Sequence, residues 1–169
     1  MDVFEAIESR YSVRGYKPEP VSDELLKKVL EAGRRAPTAA NRQPLRIIVV
    51  HVKGREEELA RVYGRPWLLQ APLVLAVVAV PGEAWRRMDD KPYDEVDATI
   101  VMDHLVLAAT ALGLGTCWIA AFDPDAAREV FGLPDDVELV AITPLGHPDK
   151  ASANTPRKPL EALVLHERR

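Results

Sequence analysis

Two arginines four residues apart, with a serine between them, are the first candidates for chemistry in this sequence. Arg10 and Arg14 flank Ser12 and follow a short helix-forming stretch. The planar guanidinium of arginine donates paired hydrogen bonds that match the oxygens of a phosphate. The segment therefore predicts a phosphate-binding site, and a solvated loop that carries surface arginines is the alternative interpretation.

A second candidate is the polar, proline-bounded segment 35–44. Asn41 and Gln43 lie between Pro37 and Pro44, in a stretch with no helical or strand periodicity. Uncharged amides in a rigid loop can hydrogen-bond the edge of a heteroaromatic ring. The alternative is an ordinary connection between a helix and a strand that uses common turn residues.

The third candidate lies near the C-terminus, where Arg157 and Lys158 stand between Pro156 and Pro159. Proline fixes its own φ angle, so two cations between prolines would occupy an extended, preset backbone. Such a segment could direct positive charge at a phosphate, whereas the alternative is a basic surface tail.

Other reactive residue types show no catalytic pattern. The four histidines lack metal-ligand spacing, which predicts no metal site. We interpret Cys117 as a small buried residue with nothing nearby to lower the pKa of its thiol. The acidic residues of segment 89–97 indicate a solvated loop and helix start. Gly113 and Gly115 follow a helix rather than a strand, so they predict helix termination and not a dinucleotide fingerprint.

The remaining pattern alternates helices and strands, which predicts an α/β or α+β domain. A continuous apolar run at 73–80 is typical of a strand buried on both faces. The stretch 97–112 is apolar around most of a helical circumference and favours burial at a subunit interface. The other predicted helices are 3–9, one capped by Ser22 and ending before Pro37, 56–63 and 124–131, and the other strands are 46–52, 116–120 and 137–143. Residues 160–165 could add an edge strand or pack on a partner.

Composition excludes several classes of protein. The 169 residues suit one domain, so we expect residues 1–169 to form a single unit. A net charge of −4 gives no general footprint for nucleic acid. One cysteine excludes an intramolecular disulfide and favours a reducing, cytoplasmic setting. The longest apolar run contains a proline and is too short to cross a membrane, and the N-terminus lacks the pattern of a secretory signal.

Together, the candidate segments resemble the nitroreductase family of FMN enzymes. Residues 10–14 match its Arg-(Arg or Tyr)-Ser-(Val or Ile)-Arg signature, and 36–44 are similar to its Ala-Pro-(Ser or Thr)-Ala-x-Asn-x-Gln-Pro segment. Residues 112–119 resemble its Leu-Gly-Leu-Gly-x-x-Trp-Ile run, and 156–160 its basic C-terminal motif. The resemblance extends from about Phe4 to His166, nearly the whole chain.

The resemblance implies an α+β fold with a central, mostly antiparallel sheet flanked by helices, in an intertwined homodimer with two FMN sites at its interface. It assigns the flavin phosphate and ribityl chain to the N-terminal segment and the basic tail. It places the proline-bounded loop against the flavin from the partner subunit, and the backbone after the Trp-Ile pair near flavin N5. The implied cofactor-binding residues are Arg10, Tyr11, Ser12, Arg14, Pro37, Thr38, Ala39, Asn41, Gln43, Ile119, Ala120, Ala121, Arg157 and Lys158.

Two residues depart from the family pattern. Leu45 stands where the family often has tryptophan, and Ala120 stands where it usually has glycine. The first change affects local packing, and the second affects the contact with N5. The chain is also short for this family, so we expect little insertion over the substrate pocket, with Trp67, Trp85 or Tyr93 as candidates to line it.

The function that the resemblance implies is transfer of reducing equivalents from NADH or NADPH to an organic acceptor such as a nitroaromatic or a quinone, by a ping-pong mechanism. The chemistry belongs to the cofactor, so no catalytic side chain is expected. The alternatives are dehalogenation, enoate reduction or flavin destruction on the same scaffold, a non-catalytic flavin-binding or sensing protein, and an interaction module whose arginines bind an anionic partner.

Overall fold

A four-stranded antiparallel sheet lies between two layers of helices in the described part of the chain. The computed structural model describes residues 1–150 and 155–167. The helices are α1 (Val3–Ser9), α2 (Asp23–Arg34), α3 (Glu56–Val62), α4 (Asp94–Ala111) and α5 (Pro124–Phe131). The strands are β1 (Leu45–His51), β2 (Leu73–Ala79), β3 (Gly115–Thr116) and β4 (Glu138–Gly146), and their order in the sheet is β1-β2-β4-β3.

Strand β2 is the centre of the protein, and all of its residues are buried. Leu75 and Val77 face the core shared with α2 and α4, whereas Val74 and Ala76 face the core that includes residues of α3 and α5. Successive side chains of a strand point to opposite faces of the sheet, so a strand covered on both faces must be apolar throughout. The prediction from the continuous apolar run is therefore confirmed.

Side-chain caps fix the beginnings of three helices. Asp2 accepts a hydrogen bond from the backbone of α1, Ser22 from that of α2 and Asp123 from that of α5. Each cap satisfies a backbone N–H that has no partner inside its helix, a contribution of about 1 kcal/mol. These caps are the signals from which the sequence predicts the starts of α2 and α5, and both predictions are confirmed.

Helix α4 begins one turn before the predicted start. Its first-turn residues Asp94 and Asp97 are buried, so the interpretation of this acidic stretch as wholly solvated is wrong for both. Gly113, at φ 76°, follows the helix in the left-handed conformation that favours glycine, as predicted. Gly115 instead belongs to β3. The close approach of Val13 there leaves no room for a side chain.

Two predictions at the strand level are corrected. The strand predicted at 116–120 is reduced to β3 and an isolated bridge between Ile119 and Ile142. Leu160–Ala162 is a short 3₁₀ turn, so the edge-strand alternative for 160–165 is wrong, whereas packing on a partner stays a prediction. No helix in the described ranges is long and apolar enough to cross a membrane.

Candidate functional site

The segment 10–14 lies along the outer side of β3. Its position follows from the end of α1, where Arg10 leaves the helix with an extended backbone. Ser12 then forms a parallel bridge with Thr116, and the Val13 N–H donates to the Thr116 carbonyl over 2.8 Å. Val13 packs so closely on Gly115 that a Cβ there would lie 2.8 Å from Val13 Cγ2. The backbone of the predicted phosphate segment is therefore attached to the sheet.

Three predicted phosphate ligands lie close enough to Cys117, the residue after β3, to influence the pKa of its thiol. Burial raises the pKa of the Cys117 thiol, while Arg14, Ser12 and then Arg10 act in the opposite direction. Cys117 is buried as predicted, but the expectation that nothing nearby would lower its pKa is wrong. The two arginines are distant from this cysteine in sequence and meet it only through the fold.

Among the described residues, neither Arg10 nor Arg14 has an acidic partner. None of the ion pairs between described residues involves either guanidinium, although other arginines of the chain pair with glutamate or aspartate. Two unpaired cations with a serine hydroxyl between them form a site suited to a dianionic phosphate. This geometry favours the phosphate-binding interpretation over a loop of surface arginines.

Tyr11 faces away from this point, toward the chain that follows β4. Its hydroxyl donates to the Lys150 carbonyl over 2.6 Å. Burial raises the pKa of its phenol, and the nearby carboxylate of Asp149 raises it further. The Asp149 N–H in turn donates to the Gly15 carbonyl over 3.1 Å. The hydroxyl of Tyr11 therefore holds the segment in place, a role that the local sequence pattern did not reveal.

The proline-bounded loop between α2 and β1 is polar, as predicted, and its own side chains hydrogen-bond its backbone. The residues Ala40, Asn41 and Gln43 have positive φ angles of 51°, 54° and 54°. Such a conformation costs a non-glycine residue on the order of 1–3 kcal/mol and persists where surrounding contacts enforce it. Gln43 supplies some of these contacts, since its N–H donates to Thr38 Oγ1 over 3.1 Å and its side chain to the Asn41 carbonyl over 3.2 Å.

A carboxylate from α4 fixes the start of the same loop. The Ala39 N–H donates to Asp97 Oδ1 over 2.8 Å. The other oxygen, Oδ2, is buried and has no hydrogen-bond partner among the described residues. Burial raises the pKa of this carboxyl, opposed by the Ala39 N–H and reinforced by Asp94. Asp97 is a functional candidate that the sequence analysis missed. It precedes Val101 by four residues, and this helical spacing, which places both on the buried face of α4, was the signal that could have identified it.

Backbone donors are exposed where the chain leaves β3. Ile119 exchanges two hydrogen bonds with Ile142 and is buried, whereas Ala120 and Ala121 are exposed. The N–H groups of these two alanines donate to no other group in the ranges that the structure describes. Unused donors on a strand-like edge suit a planar ring with acceptor atoms at its rim.

The basic tail lies on the surface of the described chain. Arg157 and Lys158 lie in an exposed, extended stretch, and no hydrogen bond or ion pair joins them to another described residue. Every residue from 155 to 167 is exposed. The assignment of these two cations to the phosphate site stays a prediction.

The remaining predicted residues divide between the two edges of the sheet. Segment 10–14 and residues 117–121 adjoin β3, whereas the loop 37–43 precedes β1. In the order β1-β2-β4-β3, the strands β1 and β3 are the two outer ones. Three strand spacings, or about 14 Å, separate them across the sheet. One chain therefore presents two partial sites, as expected if each is completed by a second copy.

A pocket adjoins the proline-bounded loop. Its volume is about 460 Å³, and its lining includes Gly33, Ala36, Thr38, Arg42 and Gln43. The aromatic candidates lie elsewhere: Trp67 packs edge-on against Tyr63, and Trp85 edge-on against Tyr93. Their place in a substrate pocket stays a prediction.

Comparison with known proteins shows the family. The model of the Nitroreductase family matches residues 7–64 and 54–147. A Thermus thermophilus protein named NADH dehydrogenase is 30% identical over 196 residues, covering 98% of this chain and 96% of that protein. The crystal structure of a nitroreductase family protein from Clostridium difficile 630 has a TM-score of 0.91 and 37% identity, covering 99% of both chains. A Desulfovibrio desulfuricans protein solved in complex with FMN has a TM-score of 0.84 and 29% identity, covering 99% of this chain and 98% of that one. With its α+β fold and antiparallel sheet, the chain belongs to the nitroreductase family.

Proposed function

We propose that this protein is an FMN-dependent oxidoreductase that takes reducing equivalents from NADH or NADPH and gives them to an organic acceptor such as a nitroaromatic or a quinone. The observation that carries the proposal is the attachment to β3 of the segment that holds Arg10, Ser12 and Arg14, with no carboxylate paired to either guanidinium in the described chain. This cluster fits the phosphate of a flavin mononucleotide.

The residues present also fit the ring of the cofactor. The N–H groups of Ala120 and Ala121, which have no partner in the described ranges, would hydrogen-bond the flavin rim near N5, and they need no particular side chain to do so. Substitution of the family's usual glycine by Ala120 leaves this N–H in place. When bound, FMN supplies the redox chemistry, accepting a hydride from the nicotinamide and returning reducing equivalents to the acceptor.

The chain's own residues would anchor the phosphate of the cofactor, orient its ring and shield that ring. The arginines hold the phosphate, the backbone after β3 aligns the ring, and the loop 37–43 closes against the flavin of a partner subunit. We propose that donor and acceptor use the same face of the flavin in turn, as a ping-pong sequence requires. The setting that we propose is a homodimer in the reducing cytoplasm, consistent with a single buried cysteine.

The first experiment is the visible spectrum of the purified protein before and after anaerobic addition of NADH or NADPH. We expect oxidised-flavin bands that bleach with one or both nicotinamides and return on addition of a quinone or nitroaromatic. Bands that do not bleach would support a flavin-binding sensor instead. A protein that stays colourless after addition of FMN would overturn the proposal.

A complementation experiment tests whether the site is shared. Arg14→Ala removes a phosphate ligand, and Ala39→Trp fills the space that the partner's flavin would occupy. If each site uses both chains, a heterodimer of the two variants has one doubly damaged site and one intact site. We expect about half the wild-type FMN content in that heterodimer and little in either homodimer. No recovery in the heterodimer would place the whole site within one chain.

A further inference from the structure

One buried acid, Asp97, contacts the proposed site but lies outside the sequence motifs that match the family. Asp97 is 2% exposed and stands on the first turn of α4. Its Oδ1 accepts the N–H of Ala39, the first residue of the 3₁₀ turn in the proline-bounded loop. The bond links residues 58 positions apart and crosses from a central helix to the loop that would contact the flavin.

The loop needs external restraint at this point. Ala40 and Asn41, directly after Ala39, have backbone conformations that non-glycine residues rarely adopt. The side chains of Thr38 and Gln43 restrain the loop from within, whereas Asp97 attaches it to a helix of the core. A loop held in this way meets its ligand already in the bound shape, which reduces the entropy lost on binding.

The orientation of Asp97 is unusual for a structural acid. Negative charge is favoured at a helix N-terminus, but an acid can supply it while exposed, as Glu95 does on the same turn. Asp97 is buried instead, and its Oδ2 has no hydrogen-bond partner among the described residues. A buried oxygen without a hydrogen-bond partner is energetically unfavourable. We therefore attribute the buried position of Asp97 to the contact that its Oδ1 makes.

We propose that Asp97 is a positioning residue of the cofactor site, which holds the Ala39 peptide so that Thr38 and Ala39 meet the flavin in a fixed geometry. The proposal rests on the FMN-dependent function proposed above. Asp97 acts through the loop and does not itself contact the flavin. This positioning role requires an oxygen acceptor at position 97 and does not require a charge.

The test uses the full-length protein and two substitutions that break the same bond from opposite sides. Asp97→Ala removes the acceptor. Ala39→Pro removes the donor. Proline is tolerated at the first position of a 3₁₀ turn, and the extended backbone of Thr38 is compatible with a following proline. Asp97→Asn keeps an oxygen acceptor. Asp94→Ala is the matched control, because Asp94 is also a buried acid on this turn.

We expect Asp97→Ala to weaken FMN binding about 10-fold, the loss that corresponds to one hydrogen bond, and to shift the visible flavin bands. Asp97→Asn should stay within about twofold of the wild type, and Asp94→Ala should be unchanged. The double variant Asp97→Ala with Ala39→Pro should bind FMN no more weakly than the weaker single variant, since both remove one interaction. In the FMN-free protein, the Ala39 amide should exchange its hydrogen at least 10-fold faster in Asp97→Ala.

The outcomes separate this proposal from the one on which it depends. A wild type that binds no FMN would overturn both. A flavin-loaded wild type, with Asp97→Ala folded and unchanged in FMN affinity and spectrum, would overturn only the role of Asp97. Effects that add in the double variant, or an Asp97→Asn protein as weak as Asp97→Ala, would also overturn it. If Asp97→Ala does not fold, Ala39→Pro decides the question, because it removes the donor of the same bond, and an unchanged FMN affinity and spectrum in that variant would overturn the role of Asp97.

Discussion

The backbone N–H of Val13 donates to the carbonyl oxygen of Thr116 across 2.8 Å, and the side chain of Val13 covers Gly115. This contact attaches the arginine-containing segment to the edge strand β3. It places the residues that follow α1 beside the two-residue strand after α4, where the proposed anion site lies.

Gly115→Ala tests this attachment. The added Cβ would meet Val13 Cγ2 at 2.8 Å, so the segment 10–14 must move away from β3. Overpacking of this kind costs about 1–3 kcal/mol, and we expect that loss in the free energy of unfolding together with weaker FMN retention. Chemical denaturation and the flavin-to-protein absorbance ratio measure the two effects.

Gly82→Ala is the control for this substitution. A Cβ at Gly82 has no heavy atom within 4 Å, and the residue does not have a positive φ angle. The control should therefore retain the stability and FMN content of the wild type. A Gly115→Ala protein with wild-type FMN content would show that the contact does not position the anion site.

Arg14→Ala and Arg157→Ala test the two halves of the proposed phosphate site. A hydrogen bond to a charged group contributes about 1.5–3 kcal/mol, so each variant should bind FMN about 10- to 100-fold more weakly. Titration of the FMN-free protein with FMN, followed by the quenching of flavin fluorescence, measures the dissociation constant.

Arg61→Ala serves as the matched control, because Arg61 pairs with Glu129 and lies outside the proposed site. It should leave the dissociation constant unchanged. Wild-type affinity in both test variants would contradict the assigned site. Loss in Arg14→Ala alone would restrict it to the N-terminal segment and exclude the basic tail.

Much of the fold could be predicted from local patterns. The apolar run of β2, the cap residues Ser22 and Asp123 and the left-handed Gly113 each act within a few residues of themselves. Local energetics decides such features, so a sequence pattern is sufficient to identify them. The strand predicted at 116–120 was too long because, among the described residues after β3, only Ile119 pairs its backbone with β4.

The parts of the site that could not be predicted depend on long-range contacts. The burial of Asp97 follows from the return of the loop after α2 to the start of α4, and an acidic stretch before a helix otherwise indicates solvent exposure. The effect of Arg10 and Arg14 on Cys117 likewise arises only when the segment 10–14 meets β3. The arginine pair itself was predictable, because its chemistry resides in residue type and spacing.

The exposed C-terminal stretch provides a test of the homodimer. Leu160 is 70% exposed and Leu163 66%, an arrangement that is unfavourable in water unless a partner covers them. Full burial of a leucine contributes about 1.5–3 kcal/mol, so Leu160→Ala with Leu163→Ala should weaken dimerisation at least 10-fold. Sedimentation equilibrium measures the change.

Glu161→Gln, on the same 3₁₀ turn, is the control for this pair and should dimerise as the wild type does. A double leucine variant with unchanged dimer affinity would show that the tail does not contribute to the interface. The apolar side chains of α1 would then be the next candidates, since Phe4 is 73% exposed.

The thiol of Cys117 should be unreactive despite the two arginines beside it. Burial raises its pKa and outweighs the opposing influence of Arg14, Ser12 and Arg10. Because only the thiolate reacts with iodoacetamide, alkylation of the folded protein at pH 8 should be at least 10-fold slower than that of a free cysteine peptide, as followed by mass spectrometry. The rate should rise as the pH increases toward the raised pKa, and the same protein unfolded in guanidinium chloride should label fully. Rapid labelling of the folded protein would instead show that the positive charge of the anion site dominates over burial.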